Sequence, residues 1–209
     1  MYSTDMDNLE YERKYYEKGM VVAGVDEVGR GPLAGPVVCC AVIMPKGEVI
    51  DGVTDSKKLS EKKREQLAEK IKSSAVSYFI AQVDQEEIDR INILNAVKKC
   101  MVMAVKGLSV TPDVTLVDGV DTGLEIPAEY VIKGDQKSYS ISCASILAKV
   151  FRDNMMVEQS KIYTGYGLEK HKGYGTKAHI ESIKEKGPCK LHRKTFIKNF
   201  WVDKANGEQ

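Results

Sequence analysis

The stretch VVAGVDEVGRGPLAGP, residues 21–36, decides how the rest of the chain is read. Its first five residues are apolar and read as a buried strand. That strand runs into two adjacent carboxylates, Asp26 and Glu27, and then into Gly29, Arg30, Gly31 and Pro32. Residues 36–44 are again rich in valine and stop at Pro45, so two core strands are predicted across a Gly/Pro-rich turn. Two negative charges at the lip of a core strand are costly unless something compensates them. A cation is the obvious compensation.

Working outward, SYFIAQV (77–83) is a third strand. Before it, Ser60 caps a helix whose apolar stripe is Leu67, Ala68 and Ile71. Residues 84–108 read as one helix closed by Gly107. Two short β-branched runs follow, DVTLVDG (113–119) and YVIKGDQ (130–136), and each stops at an acid, Asp118 and Asp135. A long helix spans 140–162 with Ile146, Leu147, Val150 and Phe151 inward. Thr176 caps another, Gly187-Pro188 stops it, and a last short helix is expected around 193–201. The order predicts a mixed α/β sheet whose first strands form a hairpin and whose later strands follow helices.

At 209 residues the chain suits one domain, and 43% hydrophobic content builds a proper core. The apolar runs are too short to span a bilayer, and the N-terminus has no signal-peptide pattern, so a cytoplasmic protein is expected. The five cysteines, Cys39, Cys40, Cys100, Cys143 and Cys189, are odd in number and form no C-x-x-C pair, which argues against zinc or a disulfide framework. Net charge is only +1, but it is uneven. From Lys149 onward there are 13 Lys/Arg against 7 Asp/Glu and all three histidines, whereas the first 19 residues carry five acids and three bases. That asymmetry suits either a solvated surface or a local phosphate-binding face.

Asp26 with Glu27, Asp118 and Asp135 all stand at predicted strand ends, and strand carboxyl ends line the functional crevice of open α/β sheets. Clustered carboxylates raise one another's pKa. A hard divalent cation relieves that repulsion, and two such ions can hold the attacking and leaving oxygens of a phosphodiester displacement. Each Asp alone also reads as a turn former, Asp118-Gly119 above all. Adjacent strand residues face opposite ways, so a shared site requires β-structure to end or distort at Asp26-Glu27.

The glycine stretch is no nucleotide fingerprint. Gly29, Gly31 and Gly35 give G-x-G-x-x-x-G, Pro32 lacks an N–H, and no P-loop is present. Close backbone approach to a bulky ligand is a better use of Gly29 and Gly31, with Arg30 free to reach a phosphate. No nucleophile-histidine-acid arrangement is visible around His171, His179 or His192.

GVDEVGRGPLAGPVV, DSKKLS (55–60), INILNA (91–96), LVDG (116–119), KGD (133–135), SCASILAKVFRD (142–153) and HKGYGT (171–176) together resemble ribonuclease HII, in that family's order and over roughly residues 20–200. The resemblance implies a ribonuclease H-like fold: a mixed central sheet flanked by helices, with a helical C-terminal extension from about residue 160. It implies one catalytic domain over 20–209 behind an acidic segment, 1–19, and a monomer. It implies cleavage of the RNA strand of RNA–DNA hybrids and incision 5′ of single ribonucleotides in duplex DNA, leaving 3′-hydroxyl and 5′-phosphate ends. The acids Asp26, Glu27, Asp118 and Asp135 are then expected to hold Mg²⁺ or Mn²⁺. Gly29, Arg30 and Gly31 should contact the 2′-hydroxyl, the group that marks RNA, and Tyr174 should stack on the next deoxyribose. Lys57, Lys58, Lys149, Arg152, His171 and Lys172 are candidate backbone contacts, and a catalytically silent hybrid binder is the competing reading.

Overall fold

A computed structural model describes residues 8–201. The first helix, α1 (Glu10–Tyr16), precedes the hairpin β1 (Val22–Val28) and β2 (Val37–Ile43). Then come α2 (Glu61–Ser74), β3 (Ser77–Val83), α3 (Gln85–Ile91) and α4 (Ile93–Lys106). The parallel strands β4 (Val114–Asp118) and β5 (Ala128–Val131) lead into α5 (Gly134–Lys137) and the long α6 (Tyr139–Ile162). The described residues end with α7 (Leu168–His171), α8 (Lys177–Lys186) and α9 (Lys194–Ile197).

The five strands form one sheet in the order β3-β2-β1-β4-β5. β1 pairs antiparallel with β2 and parallel with β4, so the strand direction switches beside β1. β2 is buried along its whole length because helices cover both faces. Val38, Cys40 and Val42 pack against α2 and α6, while Val37, Cys39 and Ala41 pack against α4. Gly24 lets α6 touch the sheet: a Cβ there would lie 2.2 Å from the Ser140 carbonyl carbon. Four of the five thiols are buried, and all five are free, as small core residues.

The mixed sheet, the hairpin start and the capped helices follow the sequence reading. Ser60 and Thr176 each accept the expected N-terminal amide, from Lys63 and His179. Four expectations change. Residues 84–108 are two helices, because Asn92 takes φ 66° and uses its side chain to cap α4 through the Asn95 N–H. Gly107 closes α4 at φ −79°, with no left-handed turn; it is glycine because the Phe79 ring lies 2.3 Å from where its Cβ would be. Phe151 faces outward at 40% exposure, whereas Val150, half-buried, packs as expected against the core that holds Ile146 and Leu147. Finally, β1 does not stop at residue 25 and Asp135 is not a strand end, with consequences for the acids.

Candidate active site

β1 runs straight through the acid pair, with Asp26 opposite Cys40 and Glu27 opposite Cys39. Asp26 therefore lies on the α6 face and Glu27 on the α4 face, and no distortion brings them together. What joins them is position along the strand. β1 and β4 are parallel, so Asp26, Glu27 and Asp118 share one sheet edge. Asp135 comes to the same edge from α5, after β5 has ended at Val131. The Asp118 Oδ1 atom accepts the Gly134 N–H at 2.6 Å, which ties that turn to the end of β4.

Burial pushes the Asp26 carboxyl well up, and the charges of Glu27 and Asp118 push it further. Burial also raises Glu27 against the opposing charge of Arg30, whose Nη1 is 3.7 Å away. Asp118 is raised by burial, although the Gly134 N–H counteracts it. These carboxylates carry more negative charge than their neighbours compensate. Glu27, Arg30 and Asp118 open onto a cleft of about 440 Å³ between the strand ends and α4, walled by Leu94, Val97 and Met101.

The DSKKLS motif forms a 3-10 turn held by Asp55, which accepts the Lys57 N–H, and by Ser56, bonded to Ser145 at 2.9 Å. This turn sends the Lys57 ammonium to Asp135, 3.1 Å away. Burial lowers the pKa of Lys57, but the hydrogen bond and charge of Asp135 outweigh it and the net shift is upward. Lys58 is exposed.

The glycine loop is held from inside by two buried arginines. Arg152 was expected at the substrate; instead it is wholly buried and donates to the carbonyls of Ala34, Pro36 and Lys172. A guanidinium with its three nitrogens committed to backbone inside the protein has no surface to offer a phosphate. Nor does it pair with Asp153, which binds Lys149 at 2.8 Å. Arg193, which sequence reasoning missed, donates to Gly29, Arg30 and Gly35. No local signal marks it; only its contact partners do, and they lie 158 to 164 positions earlier.

Tyr174 is 40% exposed, with the Lys149 ammonium 5.9 Å from its ring centre. Its loop joins the glycine loop through the Leu33 N–H and the Gly173 carbonyl. His171 accepts the Gly173 N–H on Nδ1 and lies 2.8 Å from the Tyr166 carbonyl through Nε2, so both ring nitrogens serve the loop. The Lys172 ammonium donates to the Glu169 carbonyl. His179 and His192, without a visible partner pattern in sequence, are partners of each other at 3.1 Å.

The donor set suits a hard divalent ion: carboxylate oxygens only, three of them destabilised as anions by burial and mutual repulsion. Among the described residues, no three His, Cys, Asp or Glu side chains are grouped as ligands of a single ion. The fit therefore rests on donor chemistry and uncompensated charge.

A helix-flanked mixed sheet with acids along one edge defines the class, the ribonuclease H-like fold. The ribonuclease H2 of Pyrococcus horikoshii matches it with TM-score 0.74 at 29% identity, covering 87% of this chain and 97% of that one. Ribonuclease HII from Archaeoglobus fulgidus, solved as a complex with PCNA, matches with TM-score 0.69 at 27% identity, covering 83% and 94%. The ribonuclease HII family model matches residues 23–204. Ribonuclease HII of Caldicellulosiruptor saccharolyticus is 52% identical over 198 residues, 94% of this chain and 97% of that protein. The chain belongs to the ribonuclease HII family. It is an endoribonuclease, and membership implies ribonuclease H activity on RNA–DNA hybrids and dependence on divalent metal. Among the described residues, no helix is long and apolar enough to cross a membrane.

Proposed function

We propose that this enzyme cuts the RNA strand of RNA–DNA hybrids and incises duplex DNA on the 5′ side of a single ribonucleotide, leaving 3′-hydroxyl and 5′-phosphate ends. In this reading Asp26, Glu27, Asp118 and Asp135 bind two Mg²⁺ or Mn²⁺ ions. Such ions lower the pKa of bound water and neutralise charge on the attacking and leaving oxygens. The chain's own residues hold the acids at one edge, align the duplex and distinguish ribose from deoxyribose. Its cellular role is then removal of RNA primers and misincorporated ribonucleotides, by a monomer in the cytoplasm.

The observation that carries this reading is the set of mutually repelling carboxylates at one sheet edge, raised by burial, of which Glu27 and Asp118 line the cleft together with Arg30. Gly31 has no positive φ, and a Cβ built on it meets nothing within 4 Å. Nothing inside the protein demands glycine there, so an outside partner that must come close supports its role in reading the 2′-hydroxyl. Tyr174 on the adjoining loop is the stacking platform for the next deoxyribose. Lys57 reaches the same edge through Asp135, Lys58 beside it is exposed, and Lys149 lies by the Tyr174 ring; as duplex contacts these cations would steepen the salt dependence of binding.

The test is a duplex with one internal ribonucleotide, incubated with Mg²⁺, Mn²⁺ or EDTA. Metal-dependent cutting 5′ of the ribonucleotide is the expected result. Binding without cutting in every buffer identifies a silent binder and overturns the proposal.

A further inference from the structure

Arg193 sits in the segment that leads into α9, far along the chain from every acid at the sheet edge. It is wholly buried, and burial plus the neighbouring charge of Arg152 pushes its pKa down to about 9, so it stays protonated at neutral pH. A buried cation bonded to no carboxylate is costly, and it persists only where its geometry is needed. Its geometry is specific. Nη2 donates to the Gly29 carbonyl at 2.6 Å, Nη1 to the Arg30 carbonyl at 3.0 Å, and Nε to the Gly35 carbonyl at 2.9 Å.

In a trans peptide the carbonyl and the following N–H point in opposite directions. With the Gly29 and Arg30 carbonyls drawn inward onto one guanidinium, the N–H groups of Arg30 and Gly31 are turned away from it. Among the described residues neither N–H has a protein acceptor. Two successive amides facing the same way form a concavity that suits an electron-rich oxygen. The open space around Gly31 leaves room for one.

We propose that Arg193 is the positioning residue for ribose recognition: by fixing two consecutive carbonyls, it presents the Arg30 and Gly31 amides to the 2′-oxygen of the ribonucleotide. This rests on Gly29–Gly31 reading the ribose. Arginine is required because its planar fork meets three carbonyls in fixed directions, whereas a lysine ammonium replaces it only as a point charge.

The experiment measures the affinity of the full chain for two duplexes that differ by a single 2′-hydroxyl, with Mg²⁺ present and cleavage blocked by Asp118→Asn. Arg193→Lys and Arg193→Met are compared with Arg193 in that background, each checked for folding by thermal melting. The expected result is a ribonucleotide-over-DNA affinity ratio reduced about tenfold, with all-DNA affinity held within about twofold. Equal loss on both duplexes, or an unchanged ratio in a folded variant, overturns the role of Arg193. A protein with Arg193 intact that fails to discriminate the duplexes overturns the reading of the glycine loop itself. Should both variants unfold, amide NMR of the same background decides. Shifts at Arg30 and Gly31 that the ribonucleotide duplex induces and the DNA duplex does not are expected, and identical responses reject the proposal.

Discussion

Asp118 Oδ1 accepts the backbone N–H of Gly134 at 2.6 Å, so the last residue of β4 holds the turn that carries Asp135. One carboxylate thus fixes another's position as well as adding charge. Gly134 tolerates no side chain there, since a Cβ would lie 2.5 Å from the Ile141 side chain and 3.2 Å from Asp118. Asp118→Asn keeps an oxygen for this bond and removes the charge. Turnover with Mg²⁺ is expected to fall by about 10³-fold, as when a charge-stabilising group is lost, while hybrid binding stays detectable. Undiminished cleavage at saturating Mg²⁺ removes Asp118 from the site.

The same substitution should stabilise the protein in metal-free buffer. Burial raises the Asp118 pKa, so the folded state holds its proton to higher pH than the unfolded chain. Stability therefore falls as pH rises from the ordinary carboxylate value through the raised one. Melting curves between pH 4 and 8 in EDTA should show the wild type losing stability across that window more steeply than Asp118→Asn. Parallel curves contradict this.

Divalent cations should raise the melting temperature of the wild type. At ten times its Kd an ion that binds only the folded state contributes about 1.4 kcal/mol. Differential scanning at matched ionic strength should show a rise with Mg²⁺ or Mn²⁺ that Asp26→Asn loses. A rise of equal size in that variant places the ion elsewhere.

Gly29 and Gly31 should behave oppositely when changed to alanine. Gly29 has φ +91°, and an added Cβ would lie 2.3 Å from the Arg152 Nε and 2.7 Å from the Pro36 carbonyl. Gly29→Ala is expected to destabilise by roughly 2 kcal/mol or more. Gly31→Ala should cost less than about 0.5 kcal/mol yet weaken ribonucleotide recognition. Chemical denaturation and duplex titration read the two effects separately, and a large stability loss at Gly31 refutes its outward role.

Glu12 anchors α1 to the start of α6. It is wholly buried, and its Oε1 accepts the Ser138 hydroxyl together with the hydroxyl and N–H of Ser140. Its Oε2 is buried and has no hydrogen-bond partner among the described residues. Glu12→Ala strands those donors and should cost about 2 kcal/mol, measured by urea unfolding. A loss below about 0.5 kcal/mol means that α1 contributes little to the fold.

His179 gives the protein an acid-sensitive joint. Burial pushes its pKa down to about 4, below the ordinary value, so the unfolded state takes up its proton first on acidification. Its contribution to stability is complete above pH 6.5 and is lost as pH falls towards 4. The Cys189 N–H donates to His192 Nδ1 and the Tyr174 carbonyl accepts from His179 Nδ1, which fits both rings neutral. Histidine ring shifts followed by NMR should show His179 titrating below pH 5. A midpoint near 6.5 contradicts this.

Several features were legible along the chain because they rest on neighbours in sequence. The strand pair around Asp26-Glu27, the Ser60 and Thr176 caps and the Asp118 strand end all depend on alternation, chain reversal or a residue three positions away. The same local logic misplaced Asp135, since an apolar run followed by Gly-Asp looks alike whether the acid ends a strand or opens a helix. It also merged α3 with α4, because Asn92 suits a polar helix position as readily as a positive-φ break. Arg152 looked like a surface cation because three-residue spacing on a helix says nothing of what covers that face.

By itself the sequence determined the family and the mixed α/β sheet, and it singled out the four candidate acids, all carried by short contiguous motifs. Only the tertiary structure decided that Asp26 and Glu27 face opposite sides of the sheet, that Glu12 locks the first helix to α6, and that Arg152 and Arg193 build the glycine loop from within. Those outcomes depend on which carbonyls and carboxylates a folded chain brings within about 3 Å of a donor. Packing sets those distances between residues more than a hundred positions apart, and no periodicity or local propensity encodes them.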